Sequence, residues 1–359
     1  MTIAYYTNVL SPHQLPLARE VVRLVGDENY HYVYRDELDQ ERLSLGWGDK
    51  DLPRWCMRGS EDSPELMAAD LVYTGGLRPL GLLARRIAAG KKTFYVTERW
   101  FKPIRLFGIN FPGTWRLLVP SYRKMARRMV ELLNNPLCMC LAIGPWAKKD
   151  MLLVVRLFGQ RGVDYNSKIS DWGYFVAPSR LPVRKVDKSS SLRVLWVGRM
   201  IGWKRVDTIV KSVRWIHENV PNVQIALTLV GNGNKRSEIV KIVGDDKDIA
   251  IIDSVPISKV RELMRGHDVY VLASDENEGW GAVVNEALEE GMKVLGTYEA
   301  GASAAMLPDG DLFHSGDWRR LAELLARCAK EKRNGKLVGQ SIGEWTPEKA
   351  AQRLVRALA

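Results

Sequence analysis

The chain has 359 residues, more than a single hydrophobic core usually serves, so two domains are the default expectation. Hydrophobic residues make up 46% and charged residues 26%, the balance of an ordinary soluble globular protein, and no apolar run reaches the roughly 18 residues that a membrane-spanning helix requires. The four cysteines, Cys56, Cys138, Cys140 and Cys328, show neither a disulfide framework nor paired metal-ligand spacing, so a reducing cytoplasm is the expected home.

From the N-terminus, Thr2-Ile3-Ala4-Tyr5-Tyr6 lacks a basic leader and reads as a first strand rather than a signal peptide. Asn8 to Gln14 follows as a loop and Leu15 to Val25 as a helix. Further strands are predicted at Tyr30 to Tyr34, Asp70 to Tyr73 and Lys92 to Thr97, with covering helices near Pro79–Ala89 and Tyr122–Leu133. Strand and helix alternate, which implies a parallel sheet. The longest apolar run, Leu137 to Ala147, is broken by Gly144-Pro145. Between Val176 and Ser191 the chain becomes polar and rich in Pro and Ser, as linkers are. A second α/β series begins at Leu192, with strands at Leu192 to Val197, Ala226 to Val230, Ile249 to Ile252, Asp268 to Ser274 and Lys293 to Thr297. The expected organisation is a first domain over 1–178, a linker over 179–191, a second domain over 192–345 and a last helix within 346–359.

The formal net charge of +11 is unevenly placed: residues 78–168 hold 18 Lys and Arg against 4 Asp and Glu. Aromatic residues interleave with them, as in Arg99-Trp100-Phe101-Lys102, Trp115-Arg116 and Tyr122-Arg123-Lys124-Met125-Ala126-Arg127-Arg128. Such a stretch suits an anionic membrane surface, where cations meet headgroups and rings sit in the interface. It also describes a solvated basic face over core aromatics. A nucleic-acid groove shares the composition, but no recognised nucleic-acid signature accompanies it, so none is expected.

The most informative segment is Glu278-Gly279-Trp280-Gly281-Ala282-Val283-Val284-Asn285-Glu286-Ala287. It follows the buried strand Asp268 to Ser274, so Asp275 to Gly281 is the loop at that strand's carboxyl end, where open α/β sheets bind ligands. Its glycines let backbone N–H groups approach a phosphate at a helix start. Glu278 and Glu286 stand eight positions apart around the turn. Two acids so placed can hold two hydroxyl-bearing rings with a diphosphate between them.

That pattern resembles the Glu-x7-Glu signature of retaining GT-B glycosyltransferases, the group 1 or family 4-like enzymes of bacterial surface-polysaccharide and lipopolysaccharide type. Leu192 to Met200, followed by Lys204 and Asp207, is similar to the family's strand, Gly-Arg turn and Lys-x-x-Asp helix start. Ala226 to Gly233 matches its next strand and Gly-x-Gly turn. In order and spacing these elements cover about half the chain. The resemblance implies a GT-B fold: two Rossmann-like parallel-sheet domains facing across a cleft, the final helix crossing back to the first. It implies that Arg199 and Lys204 grip the leaving diphosphate, that Glu278 orients the donor sugar and that Glu286 holds the ribose. Gly198, Gly231, Gly233, Val255, Gly279, Trp280, Gly281 and Ser303 would complete the donor pocket.

On the first domain, Asn8 to Pro16 resembles a Pro-His-Gln-x-Pro opening in bacterial surface-polysaccharide transferases, as do Glu98-Arg99 and Trp172-Gly173-Tyr174-Phe175. Many relatives carry a His after the strand that here ends in Thr97-Glu98-Arg99. With none nearby, His13 and Glu98 are the candidates for that catalytic role. The activity implied is retaining, metal-independent hexosyl transfer from a nucleoside-diphosphate sugar, UDP before GDP, with no cofactor. The acceptor would be a glycan or a lipid-linked molecule met at the inner face of the cell membrane through residues 78–168. Two other readings are a nucleotide-sugar 2-epimerase and an inactive scaffold of the same fold. Each site residue also has a plainer role open to it: Glu286 as a surface helix acid, Glu278 as a solvated loop acid, Arg199 and Lys204 as surface charges, His13 as a helix cap, and Glu98 with Arg99 as a local ion pair. His217, His267 and His314 read as structural. The strings Asp49-Lys50-Asp51 and Asp309-Gly310-Asp311 do not follow a buried strand as a metal-holding Asp-x-Asp would.

Overall fold

In the computed structural model, which describes residues 1–40, 43, 52–76, 78–106, 109–179 and 191–358, the chain divides into two α/β units. The first runs to Ala177 and takes in the C-terminal segment from Trp345; the second includes Pro178–Glu344. The predicted linker, apart from residues 179 and 191, and the string Asp49-Lys50-Asp51 lie outside the described residues.

The first unit is built on a seven-stranded sheet of β1 (Ile3–Val9), β2 (Tyr30–Asp36), β3 (Cys56–Arg58), β4 (Leu71–Gly75), β5 (Lys92–Thr97), β8 (Cys138–Ile143) and β9 (Ile169–Trp172), in the order β3-β2-β1-β4-β5-β8-β9. Every neighbouring pair is parallel. A short antiparallel hairpin, β6 (Ile104–Leu106) with β7 (Ile109–Phe111), stands apart from it. Parallel strands covered on both faces need apolar residues at successive positions rather than alternate ones; Ile3 to Tyr6 and Leu71 to Tyr73 are all buried. The helix Leu15–Val25 buries Leu15, Leu17, Ala18 and Val21, and the last helix, Pro347–Arg356, packs against it. Arg86 is fully buried in this unit. Its guanidinium donates to the carbonyls of Ala69 at 3.1 Å and Lys92 at 2.9 Å and to that of Leu66, so a cation replaces backbone partners the strand ends lack.

The second unit holds six parallel strands, β10 (Leu192–Val197), β11 (Ile225–Val230), β12 (Ile249–Ile252), β13 (Val269–Leu272), β14 (Lys293–Thr297) and β15 (Leu312–Phe313), in the order β12-β11-β10-β13-β14-β15. Its core joins Val194, Trp196 and Val271 of the sheet to Ile209, Val213 and Ile216 of the helix Val206–Asn219 and to Leu321, Leu325 and Cys328 of the helix Trp318–Arg333. Burying each such aliphatic side chain contributes about 1.5–3 kcal/mol. A buried ion cluster ties the sheet's base: Lys332 donates to Asp268 at 2.7 Å, as does the backbone N–H of Arg193 at 2.8 Å.

In both sheets the chain moves outward on one side of a central strand and then resumes on its other side. The loops after β1 and β4, and after β10 and β13, therefore part company at the carboxyl ends of adjacent strands. A crevice opens at such a switch point. The structure adds β3, β8 and β9 to the strands predicted for the first unit, and the helix Gly144–Phe158, which begins at the Gly-Pro pair that interrupts the apolar run.

Candidate active site

In the second unit the loop after β10 carries Gly198, Arg199 and Met200, and the loop after β11 carries Gly231, Asn232 and Gly233. They lie back to back, the N–H of Gly198 donating to the Val230 carbonyl at 3.0 Å and that of Met200 to Asn232 at 2.8 Å. A Cβ on Gly231 would stand 1.9 Å from the Gly198 carbonyl oxygen, and one on Gly233 2.3 Å from that of Met200. No side chain larger than hydrogen fits between these turns.

The chain then makes a 3₁₀ turn, Gly202–Lys204, and passes through Arg205 in the left-handed region, with φ of 49°. Such a conformation is uncommon for a residue with a Cβ. The Arg205 guanidinium is held by Asp207 at 3.1 Å, and Asp207 also receives Lys211 at 3.2 Å. Burial raises the Asp207 carboxyl, but the two cations outweigh it and hold the group below the usual carboxylate range. This bend aims Lys204 at the loop after β13, where its ammonium, 4.5 Å from the Trp203 ring centroid, bonds Glu278. Ser274 donates to the same Glu278 oxygen at 2.9 Å, and Thr297 holds the Ser274 carbonyl at 2.6 Å. The N–H of Asp275 donates to the Trp203 carbonyl at 2.8 Å, tying the two loops by backbone as well.

Beyond Glu278, Gly281 has φ of 92°, and a Cβ there would press to 2.9 Å on the Leu272 side chain. Trp280 turns its ring into the core, 1% exposed, its indole N–H donating to Asn285 at 2.7 Å. What Trp280 offers the turn is backbone, and its carbonyl accepts from Ala302 at 2.8 Å. Gly301 packs so closely that a Cβ would meet the Gly279 carbonyl at 2.5 Å. The helix Val283–Glu289 follows and carries Glu286, which is buried. Burial pushes its carboxyl up to about 7, against the lowering pull of Arg261, with Glu290 adding to the rise. Arg261 is itself paired with Glu290 at 2.7 Å. Tyr270 on β13 donates to the Val197 carbonyl at 3.2 Å and feels the charge of both Glu278 and Glu286.

Of the residues singled out for this half, Lys204 and Glu278 are thus in contact, Glu286 is on the next helix, and the five glycines Gly198, Gly231, Gly233, Gly279 and Gly281 lie in the turns. Arg199 is exposed on the same β10 loop. Val255 is half-buried in the loop after β12. Ser303 lies in the short helix Gly301–Met306 and is fully buried, its hydroxyl set against Gly296, where a Cβ would approach to 2.2 Å. The hydroxyl therefore faces the sheet, which leaves backbone as the part of Ser303 able to face a ligand. Ser274, Thr297, Arg205 and Asn285 support the site and were not singled out; small polar residues after a strand give no periodic signal.

In the first unit His13, Glu98 and Tyr174 sit at the carboxyl ends of β1, β5 and β9. His13 and Tyr174 line a cavity of about 30 Å³ with Tyr5, Gln14, Tyr73 and Gly76, and Tyr174 donates to Glu98 at 2.8 Å. Gln14 joins the wall by donating to Tyr5 at 2.7 Å and accepting from Tyr32 at 2.6 Å. Burial lowers the His13 imidazole to about 4, so it is neutral at ordinary pH. The helix after it is capped at Gln14 without a side-chain bond, so His13 is no cap. Arg99 lies 3.9 Å from Asp150 and 5.7 Å from the Trp146 ring centroid.

His217, His267 and His314 tie structure together. His217 meets Asp246 at 2.7 Å and the Ile225 carbonyl at 3.0 Å, His267 the Leu263 carbonyl and Thr228, and His314 Glu299. His217, Asp246 and Asp248 bring ligand atoms within 4.8 Å of one another, but both nitrogens of His217 are spent. Asp311 of the string Asp309-Gly310-Asp311 is buried against Lys293 at 2.6 Å. Among the described residues no helix is long and apolar enough to cross a membrane.

Two parallel α/β sheets with these switch-point loops are the GT-B fold. Residues 191–331 match the family model described as glycosyl transferases group 1. The whole chain superposes on the crystal structure of Anabaena HepE in complex with UDP at 14% identity and a TM-score of 0.64, covering 100% of this chain and 99% of that one. The lipopolysaccharide outer core galactosyltransferase WaaB, in its apo form, gives 14%, 0.66 and the same coverage. A structure described as trehalose-6-phosphate from E. coli bound with UDP-2-fluoro glucose gives 10% identity and a TM-score of 0.69, again over 100% of this chain and 99% of that one. No curated protein matches the sequence.

Proposed function

We propose that this chain is a retaining glycosyltransferase that moves a hexosyl group from a nucleoside-diphosphate sugar to a glycan or lipid-linked acceptor in bacterial surface-polysaccharide synthesis. The observation that carries the reading is the meeting of Lys204, Glu278 and Ser274 at the head of the Gly279-Trp280-Gly281 turn, with Glu286 buried on the helix that follows. Departure of the diphosphate develops negative charge, for which Lys204, held at Glu278, and Arg199, exposed on the neighbouring loop, supply cations beside the glycine turns. In this reading they take the part a metal ion plays in other transferases. Glu278, freed from Lys204 as the diphosphate arrives, accepts from the donor sugar's hydroxyls, and Glu286 accepts from the ribose. His13 and Glu98 serve the acceptor side. UDP is favoured over GDP, and HepE, described in complex with UDP and with UDP-glucose, supports that order. Contact with the inner face of the cell membrane brings a lipid-linked acceptor within reach.

The test is incubation of the purified chain with a panel of UDP- and GDP-sugars, following free nucleotide, with NMR of the anomeric proton in any product. Nucleotide release from one donor with a retained anomeric configuration is expected. Isomerised donor without an acceptor would identify an epimerase instead, and no binding to any donor would leave only a scaffold.

A further inference from the structure

The helix Pro120–Asn134 separates two kinds of side chain along its length. Ala126, Met129, Val130 and Leu133 are buried, and the opposite stripe carries Arg123, Lys124, Arg127 and Arg128, all exposed. The three- and four-residue spacing puts these four cations on one face, and together with Pro120 and Glu131 they line one open depression of the surface. Among the described residues Arg128 is the one of the four with a carboxylate partner, Glu131 at 2.9 Å, while Arg127 lies 5.5 Å from the Phe158 ring centroid.

The chain reaches this helix through the 3₁₀ helix Gly113–Leu118. In it Leu118 is 83% exposed, the largest value among the large apolar side chains described, and Trp115 is 41% exposed; Phe111, at the end of β7 just before it, is 43% exposed. A single exposed apolar side chain is ordinary. Three lie within eight residues, the last of them five positions before the first of four clustered cations, and the 3₁₀ helix packs against the helix that carries those cations.

We infer that this surface seats on an anionic lipid bilayer, with Leu118 and Trp115 entering the interface and Arg123, Lys124, Arg127 and Arg128 lying over the headgroups. The choice of bilayer over a nucleic acid rests on Leu118. A single strand is gripped by stacking its bases on π-faces, and the most exposed apolar residue here has none. Hydrocarbon takes an aliphatic side chain readily. The inference deepens the membrane contact included in the proposed function by naming the surface and the lipid charge, and it rests on that reading for the acceptor alone.

Flotation of the full chain with vesicles tests it, using phosphatidylcholine alone and phosphatidylcholine mixed with phosphatidylglycerol. Binding is expected on the anionic vesicles and to fall as salt screens the charges. Each cation near such a surface contributes about fivefold, so Arg123→Ala with Arg127→Ala should lower the partition about 30-fold at low salt. Leu118→Asp should lower it at every salt concentration. Nucleotide release measured on the same preparations should be unchanged by either variant. Equal binding to both vesicle types, tighter binding to single-stranded RNA than to anionic vesicles, or indifference to both variants would overturn the inference. Vesicle binding that follows the variants in a chain inactive on every donor would leave this surface standing and remove the transferase reading; the reverse result would remove the surface alone.

Discussion

Replacing Glu286 by Gln keeps the shape of a buried side chain and removes a carboxyl that burial holds near 7 instead of its usual 4.5. Between those two values the folded chain retains a proton that the unfolded chain has given up. The stability tied to this group is therefore fully present below about pH 4.5 and is lost as pH rises, levelling off above about pH 7. The rise from 4.5 to about 7 corresponds to about 3 kcal/mol. Arg261 and Glu290, whose charges act on the carboxyl, both remain in the variant. Urea unfolding of wild type and Glu286→Gln at pH 4.5, 6, 7 and 8 reads the effect, followed by tryptophan fluorescence, since Trp196 and Trp280 are both buried in this unit. The difference between the two proteins should move in favour of Gln by about 3 kcal/mol from pH 4.5 to pH 8. A change below about 0.5 kcal/mol over that range would refute the buried-carboxyl argument, as surface substitutions behave that way. If Glu286 also accepts from the ribose, donor affinity should rise from pH 6 to pH 8 in the wild type and stay flat in the Gln variant.

Lys204→Ala should lower kcat by about 100- to 1000-fold while weakening donor binding far less, because its charge is needed most as the diphosphate leaves; steady-state kinetics with isothermal titration separates the two, and equal losses would count against the role. His13, held neutral by burial, should show a flat ring-proton shift by NMR from pH 8 to pH 5, and the stability linked to it should be present above about pH 6.5 and be lost as pH falls toward 4. A midpoint between pH 6 and 7 would contradict that burial. Lys332→Met takes the buried ammonium away from Asp268 and should cost about 3–5 kcal/mol in urea unfolding, much of it recovered in the double variant that also carries Asp268→Leu. Gly281→Ala meets both a left-handed backbone and the Leu272 side chain, and a loss of about 1–3 kcal/mol is expected by the same measurement.

The strands on which the candidate-site loops are mounted were legible because parallel strands covered on both faces are written as unbroken apolar runs, as in Leu192 to Val197 and Val269 to Leu272. Cys138 to Ile143 is also such a run, but apolar residues continue past the Gly144-Pro145 break to Ala147, so its length alone does not separate a strand from the start of the next helix. Cys56–Arg58 is too short to show any period. Within the site, Glu278, Glu286 and Lys204 could be named from motif spacing. Their supports could not, since Ser274 and Thr297 act through hydrogen bonds that join the ends of different strands. The side-chain directions of Trp280 and Ser303 were likewise hidden: a residue in a glycine-rich turn can serve by its backbone while its side chain is spent on the core.

The pairs Gly198 with Gly231 and Met200 with Gly233 have a practical consequence for anyone re-engineering these loops. With carbonyl oxygens at the distances found here, neither loop can be exchanged for a relative's version by itself, because its contour is cut to the other's main chain. Chimeras should transplant both segments as one cassette, and libraries that randomise either glycine will return unfolded clones rather than new specificities.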